Sequence, residues 1–130
     1  MIVALHELLG HGSGKLYNKK PDFPSPIDGS EITTFYKENE TWRSVFGDIA
    51  STYEECKADS VALYLSLFED VQATLLPQHT PEERWEIVYI AWFDIILSAV
   101  KGLQFFDVEH KKWLQAHIGA AYAIFQVLRE

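Results

Sequence analysis

The amino-acid sequence predicts a mainly α fold, in which about four helices and one long irregular loop form a single helical domain over residues 1–130. Apolar residues recur at helical spacing over residues 47–70 and 79–106, which favours helices there. Prolines and glycines gather instead between residues 12 and 29, which indicates irregular structure. Hydrophobic residues make up 48% of the chain and charged residues 23%, the composition of a packed globular protein.

The first part of the chain is predicted to be one helix followed by the long loop. The helix covers residues 1–11 and is expected to end at Gly12 and Gly14, residues of the usual C-terminal break. Residues 15–43 show no sustained helical period, and only the segment 31–36 within them has the composition of a short strand. A connection of this length in a compact domain is usually functional or mobile.

The second part of the chain is predicted to be helical from Trp42 onwards. Thr80 and Glu83 have the spacing of a capping box, and Pro81 stands at the first helical position, where proline costs least. Because the helix that begins there is apolar nearly all round, we expect it to be the buried centre of the fold. Asp107 is the expected N-cap of a last helix.

Charge and cysteine content exclude several classes of partner and location. The formal net charge is −8 and basic residues do not cluster, so nucleic acid is not an expected partner. A single cysteine, Cys56, allows no internal disulfide and favours a reducing compartment. The sequence lacks a signal-peptide pattern, and Glu86 and Asp94 interrupt its most apolar segment, so we expect a soluble, cytoplasmic protein with no membrane span.

The segment HELLGH, from His6 to His11, resembles the zinc-peptidase pattern HExxH with one residue too many. Histidines five residues apart diverge by about 140° on a regular α-helix and could not share an ion. A local π-type turn would remove most of that divergence, and such turns often occur at functional sites. We therefore predict a π distortion here, with Gly10 giving the backbone the freedom to adopt it.

Two readings of HELLGH remain open from the residues alone. The first is a pair of unrelated histidines near a helix end, which is the common case for an arbitrary pair at this spacing. The second is a metal site, which Glu7 favours because the general base of a zinc peptidase directly follows its first histidine.

A second acidic cluster, YEECKAD, could complete such a site. A catalytic zinc takes three protein ligands, so two histidines need one more, and Glu54, Glu55 and Asp59 lie together on one predicted helix. One of these carboxylates could bind the metal while the others accept hydrogen bonds from the imidazoles. The alternative is a solvated acidic patch, which is the usual meaning of such a cluster on its own.

Together these motifs resemble the dipeptidyl peptidase III family, zinc exopeptidases marked by HELLGH and EECRAE. HELLGHGSGKL begins at His6, YEECKAD at Tyr53, and ETW at Glu40 is similar to a recurrent stretch of the family. The final segment WLQAHIGAAYAIFQVL, from Trp113, resembles the family's W-x-Q-x-H helix. The resemblance covers nearly the whole chain.

The resemblance implies a set of site residues around one zinc per chain. His6, His11 and Glu55 would be the metal ligands, and Glu7 the base that acts on the zinc-bound water. Glu54 and Asp59 would hold the ligand imidazoles. His117 would support the oxyanion or position the substrate; without the resemblance, a lone helical histidine beside His110 and Trp113 is more often structural. Cys56 is expected to be a buried neutral thiol.

The chain also departs from the family pattern. Lys57 and Asp59 stand where the family has arginine and glutamate, so the bond from Asp59 to an imidazole is expected to be lost, rearranged or carried by water. Ala121 and Gln126 fall where the family carries arginines that help to hold substrate. Family enzymes are much longer, with two lobes around a cleft, so we expect a catalytic-lobe fragment.

The function implied is a metalloprotease of the aminopeptidase type that removes dipeptides from oligopeptide N-termini. The rival interpretation is a non-catalytic zinc-binding helical module, or a truncated fragment without the substrate-binding lobe. A purely structural helical protein would leave both motifs unexplained.

Overall fold

The computed structural model describes residues 1–130 and confirms the mainly α fold. The α-helices are α1 (Ile2–Leu5), α2 (Trp42–Phe46), α3 (Ala50–Leu65), α4 (Glu69–Leu75), α5 (Pro81–Lys101) and α6 (Ala116–Arg129). A π-helix (His6–Gly10) continues α1, and 3-10 turns cover Gly47–Ile49 and Gly102–Phe105. The chain divides into two compact units, unit 1 (Met1–Ser13 with Ser51–Glu130) and unit 2 (Gly14–Ala50).

The most deeply buried apolar residues of unit 1 are alanines. The alanines Ala58, Ala62, Ala99 and Ala120 are fully buried, which lets the helix backbones approach one another closely. The turn between α3 and α4 is closed by buried polar groups, since the Gln72 side-chain amide donates to the Ser66 carbonyl at 2.9 Å. α5 and α6 share the most extensive helix–helix contact of this unit.

The long helix α5 begins as its sequence predicts but is not buried. Thr80 and Glu83 form the capping box, with the Thr80 N–H donating to Glu83 Oε2 at 2.8 Å and Pro81 as the first helical residue. Burial is confined largely to Val88 and Ala99, so the prediction of a buried centre is wrong. The helix packs against α4 and α6, and part of its remaining apolar surface is exposed. None of the helices is long and apolar enough to cross a bilayer.

The region before α6 is a hairpin, which corrects the predicted start of the last helix. The strands β1 (Phe106–Asp107) and β2 (Lys112–Trp113) pair antiparallel, with Phe106 opposite Trp113. Asp107 caps the hairpin turn instead of a helix, because its Oδ1 accepts from the His110 N–H at 3.0 Å. Aspartate makes the same local bond in turns and at helix N-termini, so sequence alone does not separate the two. Gln115 is the actual N-cap of α6.

Unit 2 holds the predicted irregular loop. Residues 31–36 form no strand, so that prediction is wrong. The Tyr36 N–H donates to the Tyr17 carbonyl at 2.7 Å, but this bond is not part of a β-ladder. Asp28 and Gly29 form a turn within the loop, since Asp28 Oδ1 accepts from the Ser30 N–H and Gly29 has a φ of 71°. α2 begins at a capping box of Thr41 and Ser44.

Candidate metal centre

The predicted π distortion of HELLGH is confirmed. The His11 backbone N–H donates to the carbonyl of His6, five residues earlier, at 3.0 Å. The turn brings the two imidazole rings to a centroid separation of 4.7 Å with their planes 88° apart. The π turn therefore accommodates the extra residue of the motif, and both histidines lie on one side of the helix.

Gly10 is required for a different reason from the one expected. Its φ is not in the left-handed region, so the turn itself does not demand glycine. A Cβ on Gly10 would lie 2.7 Å from both the Cα and the carbonyl oxygen of Ala58. Gly10 thus allows the π-helix to touch the backbone of α3, the helix that carries the acidic cluster.

The carboxylates of α3 hold one nitrogen of each motif histidine. Asp59 Oδ1 lies 2.7 Å from His6 Nδ1, and Glu54 Oε1 lies 3.1 Å from His11 Nδ1. The shorter side chain of Asp59 therefore bonds its imidazole directly, so the expectation of a lost or water-carried bond is wrong. Both bonds favour the tautomer with the proton on Nδ1, which leaves the Nε2 lone pairs of His6 and His11 free.

The Nε2 atoms converge on Glu55. Glu55 Oε2 lies 3.2 Å from His6 Nε2 and 3.6 Å from His11 Nε2. His117, near the start of α6, places its Nδ1 3.1 Å from the same oxygen. His6, Glu55 and His117 form one group whose donor atoms all lie within 4.8 Å of one another. Two three-residue donor sets therefore share His6 and Glu55, and they differ in whether His11 or His117 is the third member.

This donor set fits a metal ion. Glu55 Oε2 is buried without a hydrogen-bond partner, although imidazole nitrogens surround it. A tetrahedral zinc with bonds of 2.0–2.2 Å places its ligand atoms about 3.4 Å apart. The observed nitrogen-to-oxygen separations of 3.1, 3.2 and 3.6 Å bracket that value. Two imidazoles and a carboxylate suit zinc, and cobalt or manganese could bind the same atoms.

These contacts shift the pKa values of the ionisable groups around the centre. The hydrogen bond to Glu54 raises the pKa of His11, and the charges of Glu55 and exposed Glu7 add to the shift. Partial burial alone would raise the pKa of Glu54, but hydrogen bonds from Lys57 and His11 outweigh it and the net shift is downward. Burial raises the pKa of Asp59 and is only partly offset by His6.

The remaining predicted residues lie on the π-helix, α3 and α6. Glu7 is exposed on the π-helix next to His6. Burial raises the pKa of the partly buried Cys56 thiol, which keeps it neutral. Ala121 is buried in α6 and only 4% exposed, so its side chain packs in the core. Gln126 lies further along the same helix and is half-buried.

Lys57 makes contacts at the candidate centre that were not predicted from the sequence. Its Nζ lies 2.8 Å from Glu54 Oε1 and donates to the Ser13 carbonyl at 3.2 Å. The three-residue spacing from Glu54 was the available signal, since such pairs face each other on a helix.

Comparison with known proteins finds similar sequences over nearly the whole chain. Residues 1–130 match the sequence model described as Peptidase family M49. Dipeptidyl peptidase 3 of Nematostella vectensis is 42% identical and that of Homo sapiens 39%, each over 98% of this chain and 18% of the relative. The protein of the same name from Dictyostelium discoideum is 33% identical over 94% of this chain and 20% of its own length. The chain thus spans about a fifth of the length of these curated relatives.

Proposed function

The chain belongs to peptidase family M49, and on that premise we propose that it is the metal-binding segment of a zinc-dependent dipeptidyl peptidase. The observation that carries the proposal is the unpartnered Glu55 Oε2, flanked by the Nε2 atoms of His6 and His11. We assign His6, His11 and Glu55 as the ligands of one zinc per chain.

The choice of His11 over His117 as third ligand rests on their partners. Metal-binding histidines almost always donate their other ring N–H to a carboxylate or carbonyl, which fixes the ring. His6 and His11 share that arrangement, with Asp59 and Glu54 as the acceptors. The His117 side chain is 54% exposed, which suits a group that meets the substrate.

When bound, zinc supplies Lewis acidity that lowers the pKa of a water molecule and polarises a carbonyl group. The chain's own residues would do the rest of the chemistry. The Glu7 carboxylate would take the proton of the attacking water and later deliver it to the leaving amine nitrogen. The His117 imidazole would donate a hydrogen bond to the oxyanion that develops on the scissile carbonyl.

We further propose oligopeptides as substrates, with dipeptides released from their N-termini in the cytoplasm. The name that these relatives share, dipeptidyl peptidase 3, supports this reaction for the whole protein. The second candidate is a zinc-binding helical module without peptidase activity. The coverage of 18% of the relatives' length, together with Ala121 and Gln126 at the places of the family's arginines, favours it for the 130-residue chain acting alone.

Glu7→Gln tests the peptidase proposal. The zinc-loaded chain and the variant are incubated with an oligopeptide, and released dipeptides are measured by mass spectrometry. We expect release by the wild type, and a decrease of roughly 10²–10⁴-fold in Glu7→Gln at unchanged zinc content. Glu109→Gln, on the exposed hairpin, is the matched control and should cleave like wild type. Zinc binding without any cleavage by the wild type would support the non-catalytic module instead, and normal cleavage by Glu7→Gln would exclude Glu7 as the base.

A further inference from the structure

Lys57 makes two contacts that connect the acidic helix α3 to the HELLGH turn. Its ammonium lies 2.8 Å from Glu54 Oε1, one turn earlier on α3. It also donates to the carbonyl oxygen of Ser13 at 3.2 Å. The side chains of Lys57 and Glu54 are each only 30% exposed, so neither contact lies on an open surface.

Ser13 is part of the π-turn structure. It lies two residues after His11, and both its backbone N–H and its hydroxyl donate to the Gly10 carbonyl, the hydroxyl at 2.8 Å. A bond to the Ser13 carbonyl therefore fastens the end of the turn that carries His11. The contacts form a closed loop. Lys57 binds both Ser13 and Glu54, Glu54 binds His11 Nδ1, and the backbone connects His11 to Ser13.

A lysine–glutamate pair three residues apart is by itself an ordinary feature of helix surfaces. Here the same oxygen, Glu54 Oε1, meets both Lys57 Nζ and His11 Nδ1. The ammonium thus constrains the one acceptor atom that orients the imidazole. Without it, the Glu54 side chain could rotate away from His11, and the imidazole would lose its preferred tautomer and direction.

We propose that Lys57 is a positioning residue that holds Glu54 and the end of the π turn, so that His11 directs Nε2 at Glu55. This inference rests on the proposed zinc-binding function, because its main consequence is for metal affinity. Lysine and arginine could both serve here, since either cation can donate to a carboxylate and a carbonyl at once.

The test measures the zinc dissociation constant of the full chain by competition with a chelator. We expect Lys57→Met to bind zinc about three- to tenfold more weakly, less than the 10- to 100-fold typical of losing a carboxylate that holds a ligand histidine. Lys57→Arg should stay within about twofold of wild type. Lys20→Met is the matched control, because it breaks the exposed Lys20–Glu31 pair of unit 2 and should leave zinc affinity unchanged.

A double variant separates positioning from a general charge effect. In Glu54→Ala, Lys57 keeps only its bond to the Ser13 carbonyl, so adding Lys57→Met should weaken zinc binding by less than it does in the wild type. Full additivity of the two substitutions would overturn the proposal, and so would wild-type affinity in Lys57→Met. If Lys57→Met does not fold, Lys57→Gln is measured by the same criteria.

A measurement on the metal-free chain tests the role of Lys57 independently of the proposed zinc binding. Long-range ¹H–¹⁵N correlation spectra of the metal-free chain, at a pH where the ring is neutral, report the tautomer of His11. We expect a dominant Nδ1–H form in the wild type and in Lys57→Arg, and a mixture in Lys57→Met. A wild-type chain that binds no zinc would refute the metal proposal while leaving this result intact. An unchanged tautomer in Lys57→Met would refute the positioning role.

Discussion

The backbone N–H of His11 donates to the carbonyl of His6 at 3.0 Å, across five residues instead of the four of an α-helix. This single bond converts a histidine spacing that should point the rings apart into one that brings both Nε2 atoms within 3.6 Å of Glu55 Oε2. The insertion in HELLGH is thus compatible with the geometry that HExxH reaches on a regular helix.

Gly10→Ala should separate the π-helix from α3. The added Cβ would meet the Ala58 backbone at 2.7 Å, so one of the two elements must move. We expect a loss of about 1–3 kcal/mol in the free energy of unfolding, together with weaker zinc binding. Denaturant unfolding and chelator competition measure the two effects. Adding Ala58→Gly removes only a third contact, with the Ala58 Cβ at 2.9 Å, so it should not fully rescue the variant; a full rescue would show that the Ala58 side chain and not its backbone causes the loss.

Asp59→Ala should weaken zinc binding through His6. Asp59 Oδ1 holds His6 Nδ1 at 2.7 Å, and removal of such a carboxylate typically costs roughly 10- to 100-fold in metal affinity. Asp59→Glu, which restores the family's residue, should bind zinc more tightly than Asp59→Ala. Equal dissociation constants for the wild type and Asp59→Ala would show that the His6 ring is held by other means.

His117→Ala distinguishes the two donor sets. If His11 is the third ligand, the variant should keep about one zinc per chain while turnover falls by about 10²–10³-fold, as expected for loss of an oxyanion donor. Elemental analysis gives the zinc content and mass spectrometry the turnover. Loss of the metal in His117→Ala but not in His11→Ala would instead make His6, Glu55 and His117 the ligand set.

Asp107 should make the hairpin before α6 sensitive to acid. Hydrogen bonds from the His110 backbone and ring hold the pKa of Asp107 below its ordinary 3.8. Because the folded pKa is the lower one, this stabilisation is present above the unfolded pKa and is lost as the pH falls through the folded value. We expect the Phe106–Trp113 ring contact, followed by NMR, to weaken below about pH 3.8. Asp107→Asn should lack this pH step; an identical acid profile would exclude Asp107 as its source.

The candidate metal centre was more predictable from the sequence than the packing around it. The π turn follows from the geometry of the motif, since histidines five residues apart can share an ion only with that distortion. The pairing of α3 with the HELLGH segment followed from the need for a third ligand. The reason for Gly10 was not predictable, because the close approach to Ala58 depends on a residue 48 positions away in the sequence.

The errors in the fold arise where one local pattern suits two structures. Asp107 caps a turn with the hydrogen bond that it would make at a helix N-terminus. Apolar residues on all sides of α5 predict that the helix is buried, but burial depends on what packs against it. The aromatic side chains of Tyr89 and Phe93 face solvent in this chain. Residues 31–36 have strand composition without a partner strand, so no ladder forms.

The zinc content of the purified chain tests the assignment of the metal centre most directly. It is determined by elemental analysis for the wild type, His11→Ala and Glu55→Ala. His110→Ala, on the exposed hairpin, serves as the histidine control. We expect about one zinc per chain in the wild type and in the control, and loss of the metal in both site variants. A wild-type chain that holds no zinc after reconstitution, or one that keeps its zinc without His11 and Glu55, would contradict the assignment of the metal centre.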